Sequence, residues 1–280
     1  MQKTIALLTD FGTSDTYVGV MKGVIAGICP DARVIDLTHE VNPQAIRQGA
    51  FMLLGSYQYF PAGTIFVVIV DPGVGSWRRS IAAFSDTYSF VAPDNGVLSY
   101  TLAENDIQSV TVLENSEYFL NRVSQSFHGR DIYAPIAAHL AYGVSREALG
   151  RTVEDYVRLS NPRLTVKDEV IYGEVIHIDH FGNIITSMGG FEWQGENLQL
   201  RPRFMPINRE IIFHADKAVS VIGAQTFEGI QRTYAKVSSQ QALVMIGSSG
   251  YLELAINQGN FAEMYGIEIG MAVELRFNTR

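Results

Sequence analysis

Phe66, Val67, Val68, Ile69 and Val70 form an unbroken apolar run in which four of five residues are β-branched. A strand of that composition is buried on both faces, and a sheet covered on both faces needs helices on each side. The run stops on Asp71 and Pro72, with glycines following at 73 and 75. Proline cannot continue a central strand, and glycine admits backbone geometry closed to other residues. Arg78 and Arg79 then return toward a carboxylate at a strand's carboxyl end, the edge where open α/β sheets bind ligands. The same residues also suit an ordinary strand exit closed by an ion pair.

The flanking chain supports the layered reading. Ile5–Leu8 predicts a strand ending on Thr9 and Asp10, and residues 16–28 a helix stopped by Cys29 and Pro30. Val34–Leu37 predicts a second strand, and Pro43 opens a helix running to about Tyr59. With the run at 64–70 this gives strand, helix, strand, helix, strand, the order of a parallel sheet with crossover helices. Residues 81–84 and 88–92 predict a hairpin, 109–113 a further strand and 131–142 an alanine-rich helix. Near residue 160 the period changes. Helical runs disappear, and VIYGEVIHID, an Arg/Pro-rich stretch, ALVMIGSSGYLELAI and MAVELRF read as short strands parted by Gly, Asn and Ser. We therefore expect an N-terminal parallel-sheet α/β domain over 1–163 and a smaller all-β C-terminal domain over 164–280.

Composition narrows the function classes. Apolar residues make up 47% of the 280 and charged residues 18%, a globular balance. The net charge of −8 divides as −5 for residues 1–160 and −3 for 161–280, so neither half offers a basic surface to nucleic acid or anionic membrane. Residues 48–70 carry no charge, but Pro61-Ala62-Gly63 breaks them into a helix-like part and a strand. The apolar stretch near the N-terminus is too short for a signal peptide, and Cys29 is the only cysteine, so a cytoplasmic protein without disulfides is expected. Cys29 itself reads as a buried structural thiol.

Several short motifs bear on chemistry. Asp10 closes the first strand as Asp71 closes the third, which in a parallel sheet places both carboxylates on one edge; Asp10 reads equally as a turn former or helix cap and as an acceptor for ribose hydroxyls. TDFG lacks the other kinase motifs, DPGVG lacks the Walker lysine, and no G-x-G-x-x-G follows the first strand. FHGRDIYAP puts His128 and Gly129 just before a helix, with Asp131 as its cap. In HIDHFGN, His177 and His180 would face opposite sides of a strand, so a metal is not expected; Asp179 and Asn183 better suit a polar clamp on a purine or an amine. APDNG reads as a turn without chemistry.

Taken together and in order, TDFGTSDTYVGVMKG, DPGVGSWRR, APDNG, FHGRDIYAP, IDHFGN and SSGYLELA resemble the S-adenosylmethionine hydrolases (adenosine-forming, SAM hydroxide adenosyltransferases), relatives of the bacterial fluorinase and chlorinase. The resemblance spans both expected domains. It implies an α/β domain joined to a β-barrel-like domain, a homotrimer, and a ligand shared between neighbouring subunits. It implies hydrolysis of S-adenosylmethionine to adenosine and methionine, with no cofactor and no metal. The family's Asp–Arg–His catalytic set falls on Asp71, Arg78 and His128, with Arg78 rather than Arg79 as the match. Asp10 matches the ribose aspartate, Asp179 the contact to the methionine amine, Asn183 and Phe227 the adenine contacts, and Ser248 a methionine-carboxylate contact; Phe127 and Gly129 complete the substrate-binding set.

The chain departs from the halogenases at positions that matter. They carry tyrosine where Asp71 stands, and the fluorinase holds halide with a serine where Gly129 stands. The fluorinase's ligand tryptophans become Gln44 and Ile185, and the arginine after its carboxylate-binding serine becomes Ser249. Chemically, a sulfonium leaves as a neutral thioether and needs no general acid. The site must hold water in line with the carbon–sulfur bond and take its proton, a task open to Asp71 or His128, with Arg78 orienting Asp71 and stabilising developing hydroxide charge. A nucleoside-binding protein without turnover fits the same motifs; a halogenase is disfavoured by Asp71 and Gly129.

Overall fold

The computed structural model describes residues 3–205 and 210–277. The chain divides into two compact units, the first ending at Leu159 and the second beginning at Ser160.

In the first unit β1 (Thr4–Thr9), α1 (Tyr17–Ile28), β2 (Arg33–Thr38), α2 (Ile46–Leu54) and β3 (Ile65–Ile69) follow the expected alternation. The hairpin β4 (Ser80–Ser85) and β5 (Ser89–Pro93) comes next, then α3 (Ser99–Ala103), β6 (Ile107–Val112), α4 (Ala134–Tyr142) and β7 (Thr152–Val153). The sheet order is β2-β1-β3-β5-β4-β6-β7. The first four strands in that order run parallel, and the hairpin turns the remainder antiparallel. Ile5, Leu7, Ile65, Val67 and Ile69 point to one side, where Met21 and Ile25 of α1 and Ile136 and Ala137 of α4 cover them. Leu8 and Val70 point the other way and meet α2 near Gly49. Each buried aliphatic side chain contributes roughly 1.5–3 kcal/mol, so β3, buried along its whole length, is a stiff base for the loop that leaves it.

Three local expectations are corrected. Pro43 does not open α2: Gln44 takes a left-handed φ of 67° and the helix starts at Ile46. The helix expected over 131–142 is preceded by a π-turn, Gly129–Tyr133, and Asp131 is no cap. Its carboxylate is fully buried, pairing with Arg130 and accepting the Ser124 N–H at 2.7 Å. Among its described residues the second unit, as expected, is mainly strands, with one short α-helix.

That unit is otherwise β-structure: β8 (Leu164–Lys167), β9 (Val170–Ile178), β10 (Ile184–Gly189), β11 (Phe191–Gln194), β12 (Asn197–Leu200), β13 (Ile211–His214), β14 (Val219–Ile222), β15 (Gln225–Glu228), β16 (Ala242–Ile246), β17 (Tyr251–Ile256), α5 (Phe261–Tyr265) and β18 (Ala272–Arg276). The main sheet runs β15-β14-β18-β9-β10-β17-β16, with β8 also on β9. Its pairings are antiparallel, and its end strands β15 and β16 come into contact, so the sheet curls into a nearly closed barrel. Strands β11–β13 form a separate small sheet. Residues 206–209, the end of the Arg/Pro-rich stretch, lie outside the described residues.

Candidate active site

Thr9 and Ile69 are the last paired residues of β1 and β3, so Asp10 and Asp71 both emerge at the carboxyl edge of the sheet. After Asp71 the chain turns tightly, with Val74 N–H donating to the Asp71 carbonyl and Ser76 N–H to that of Gly73. Gly75 has φ 75°, and a Cβ there would lie 2.2 Å from the Gln125 carbonyl oxygen. Only glycine lets the loop after β3 press against the loop that carries His128.

The two loops bring Asp71, Arg78 and His128 together. Arg78 Nε donates to Asp71 Oδ1 at 2.8 Å, and its Nη2 donates both to Asp71 Oδ2 and to His128 Nδ1, the latter at 2.8 Å. Nη1 donates to Ser80 Oγ at 3.0 Å and to the Arg79 carbonyl at 3.4 Å. All five guanidinium N–H groups therefore have an acceptor within this unit. The Asp71 and Arg78 side chains are only 5% and 10% exposed, a depth at which each charge needs its partner.

This geometry fixes the state of His128. Arginine can only donate, so Nδ1 must accept and the ring proton sits on Nε2. Burial, and then the positive charge of Arg78, hold the imidazole below its ordinary value, keeping it neutral; Asp71, a hydrogen bond to the Ser124 backbone and Asp131 oppose them more weakly.

Arg79, which the sequence places beside Arg78, turns elsewhere. It pairs with buried Asp94 at 2.7 Å and with Asp155 at 3.0 Å, and Asp94 also accepts the Val157 N–H. The turn APDNG thus has a use that composition did not reveal. Asp10 accepts the Gln44 N–H at 2.8 Å, which holds the left-handed turn before α2; it does not cap α1, whose N-cap is Thr16. Phe127 packs edge-on against Phe11 and Tyr17, at 5.9 and 5.1 Å between ring centres. Gly129 is buried under these rings: a Cβ would come within 3.1 Å of Phe127 and 3.2 Å of Phe11 and Met21.

The second unit joins Asp179 and Asn183. Asp179 Oδ1 accepts the Phe181 and Asn183 N–H groups at 2.9 and 2.8 Å, and Oδ2 accepts Asn183 Nδ2 at 2.9 Å. Asn183 also donates to the Tyr234 hydroxyl at 3.2 Å. A cavity of about 620 Å3 opens here, lined by Phe181, Asn183, Tyr234 and residues 256–259. Phe227 and Ser248 do not line it: Phe227 lies on β15 against Phe261 and Tyr265, and Ser248 sits exposed in the turn between β16 and β17. Sequence reasoning missed Glu253. Its carboxyl group packs on Gly247 and is pushed up to about 7 by burial and then by the negative charge of Asp179. The signal was available, since Glu253 is the one charged residue in a strand whose other positions are all buried. Among the described residues no cluster of three or more His, Cys, Asp or Glu is arranged to hold a metal ion, and no helix is long and apolar enough to cross a membrane.

A parallel-stranded α/β unit with charged groups at its carboxyl edge, followed by a curled antiparallel unit with a polar clamp, defines the architecture. Comparison with known proteins then gives its family. The SAM hydroxide adenosyltransferase N-terminal domain matches residues 5–150 and the corresponding C-terminal domain residues 173–274, so the chain belongs to the SAM hydroxide adenosyltransferase family. It is 35% identical over 269 residues, 95% of each chain, to the (R)-S-adenosyl-L-methionine hydrolase of Salinispora tropica. It is 29% identical to a fluorinase of Actinopolyspora mzabensis, covering 97% of this chain and 96% of that one. The crystal structure of an uncharacterized conserved protein from Thermotoga maritima superposes with a TM-score of 0.85 at 34% identity, covering 97% and 99% of the two chains.

Proposed function

We propose that this protein hydrolyses S-adenosyl-L-methionine to adenosine and L-methionine, by in-line attack of water on the 5′ carbon. The observation that carries this reading is the buried Asp71–Arg78–His128 cluster at the sheet's carboxyl edge, in a member of this family. The new bond forms between water oxygen and C5′, the C5′–sulfur bond breaks, and its electron pair leaves on a neutral thioether. One proton must leave the water. We assign it to Asp71, because His128 Nδ1 is already an acceptor for Arg78 and Nε2 carries the proton. Each Asp71 oxygen keeps a lone pair beyond its bond to Arg78. His128, whose ring also bonds to the Ser124 backbone, lines the water site beside Asp71. Arg78, with every N–H taken, acts through its two neighbours rather than on hydroxide directly.

In the same proposal Asp10, Phe127 and Gly129 bind the ribose side, Asn183 and Phe227 the adenine, and Asp179 and Ser248 the methionine end. Neither metal nor cofactor enters any step. On the family resemblance alone we add a homotrimer with shared active sites and a cytoplasmic location. Incubation with S-adenosylmethionine should release adenosine and methionine in equal amounts, unchanged after exhaustive chelation. Tight binding without products would favour a nucleoside-binding protein, and a halogenated nucleoside on adding fluoride or chloride would favour a halogenase. Native mass measurement should give three chains; a fully active monomer would contradict the shared site.

A further inference from the structure

The guanidinium of Arg78 does two things at once: it grips Asp71 with Nε and Nη2, and it sets the proton position on His128 through Nη2. Both depend on the plane of the group, and that plane is held from the opposite side. Nη1 donates to Ser80 Oγ at 3.0 Å, and Ser80 Oγ lies 3.0 Å from the Tyr133 hydroxyl. The guanidinium carbon stands 5.8 Å from the centre of the Tyr133 ring. Ser80 is 7% exposed and Tyr133 not at all, so water does not substitute freely for either hydroxyl.

The backbone explains how one segment reaches both ends of Arg78. His128 precedes the π-turn Gly129–Tyr133 and Tyr133 ends it; in it Ala134 N–H bonds the Gly129 carbonyl five residues back. In an α-helix, residues five apart are rotated by about 140° from each other. The wider π-turn reduces that angle, and such turns recur at functional sites. Here it lets His128 meet Nη2 while Tyr133, through Ser80, meets Nη1. Ser80 itself opens β4, two residues after Arg78, and Arg79 between them is drawn away by Asp94 and Asp155.

We propose that Ser80 and Tyr133 are positioning residues for the reaction: through Nη1 of Arg78 they fix the guanidinium plane, and with it the Asp71 carboxylate and the tautomer of His128. The proposal rests on the hydrolase reading for its kinetic consequences, but the state of His128 can be read without turnover. When Ser80 or Tyr133 loses its hydroxyl, the hold of Arg78 on Nδ1 loosens. Asp71 and Asp131, the other charges facing His128, both favour its cation. Protonation of His128 should therefore move to higher pH.

The test uses Ser80→Ala, Tyr133→Phe and Ser80→Thr in the full-length protein. Losing one hydrogen bond to or beside a buried charge should lower kcat about 10-fold in each of the first two, with KM nearly unchanged. The acid limb of the pH–rate profile should move up in pH. Nitrogen-15 spectra of His128 should change from a single Nε2–H tautomer in the wild type to a mixture. Ser80→Thr, which keeps the acceptor oxygen, should recover most of the lost rate. Should Ser80→Ala fail to fold, Tyr133→Phe gives the same readings. If the variants melt earlier but keep wild-type kcat, pH profile and His128 tautomer, the two hydroxyls are structural only and the proposal is overturned; a change in KM alone overturns it as well. If the wild type forms no adenosine, the functional reading fails, and the His128 spectra still decide the positioning claim.

Discussion

The polar clusters of the two units solve opposite problems. In the first unit the charges are balanced within the protein: Asp71 faces Arg78 at close range, and every donor of Arg78 has an acceptor. In the second, Asp179 and Glu253 repel each other, and among the described residues no arginine or lysine pairs with either. Asp179 is steadied by neutral donors of its own turn instead. A balanced, buried cluster keeps its shape without a ligand and suits chemistry; an unbalanced one keeps excess negative charge that a cationic ligand offsets. In the proposed function, the ammonium and sulfonium groups of S-adenosylmethionine supply such positive charge.

The sharpest way to break this division is Asp71→Asn, which keeps the size of the side chain but not its ability to take a proton. A proton-transfer contribution is typically ~10² to 10⁴-fold, so kcat should fall by that order while ligand affinity changes far less. A loss expressed only in affinity would put Asp71 in the binding class. Next in size is the reverse test. Asp179→Ala removes three hydrogen bonds within the clamp, and KM should rise by about 10- to 100-fold with the chemical step little altered, judged by single-turnover rates.

A smaller effect comes from His128. Burial and Arg78 hold it below the ordinary 6.5, and only the neutral ring can accept from Arg78. Activity should be full above pH 6.5 and lost as pH falls below it through the folded-state value. Stability has the same sign: the unfolded chain takes up the proton near 6.5 while the folded chain resists, so stability falls in that window as pH drops. An acid limb centred above 6.5 would contradict the assigned tautomer. The smallest effect concerns Glu253, whose folded-state value is raised from 4.5 to about 7. Its contribution to stability is complete below pH 4.5 and is lost as pH rises toward 7 and above. Glu253→Gln should flatten that part of the melting-temperature profile, and an unchanged slope would show that the repulsion from Asp179 is relieved some other way.

The same contrast marks how much was legible in the sequence. Regular structure carried its own signals: the β-branched run of β3 and the spacing of Val18, Met21 and Ile25 in α1 reflect burial, and parallel strands oblige Asp10 and Asp71 to share an edge. Contacts made by irregular backbone carried little. Nothing in two adjacent arginines says that Arg78 turns to Asp71 while Arg79 turns to Asp94, because the choice is made by how the loop after β3 and the β4–β5 hairpin fold back. Pro43 carried a helix-start signal that the left-handed Gln44, tied to Asp10, overrides. Asp131 was misread for a related reason: its partners Arg130 and Ser124 make it a loop anchor inside a π-turn that no α-period anticipates.

The central claim is that water, activated beside Asp71, attacks C5′ of S-adenosylmethionine. Turnover in oxygen-18 water tests it most directly. The account predicts one heavy oxygen in the 5′-hydroxyl of adenosine and none in methionine, with the labelled product falling in step with kcat in Asp71→Asn. Label in methionine, or unlabelled adenosine, would contradict it.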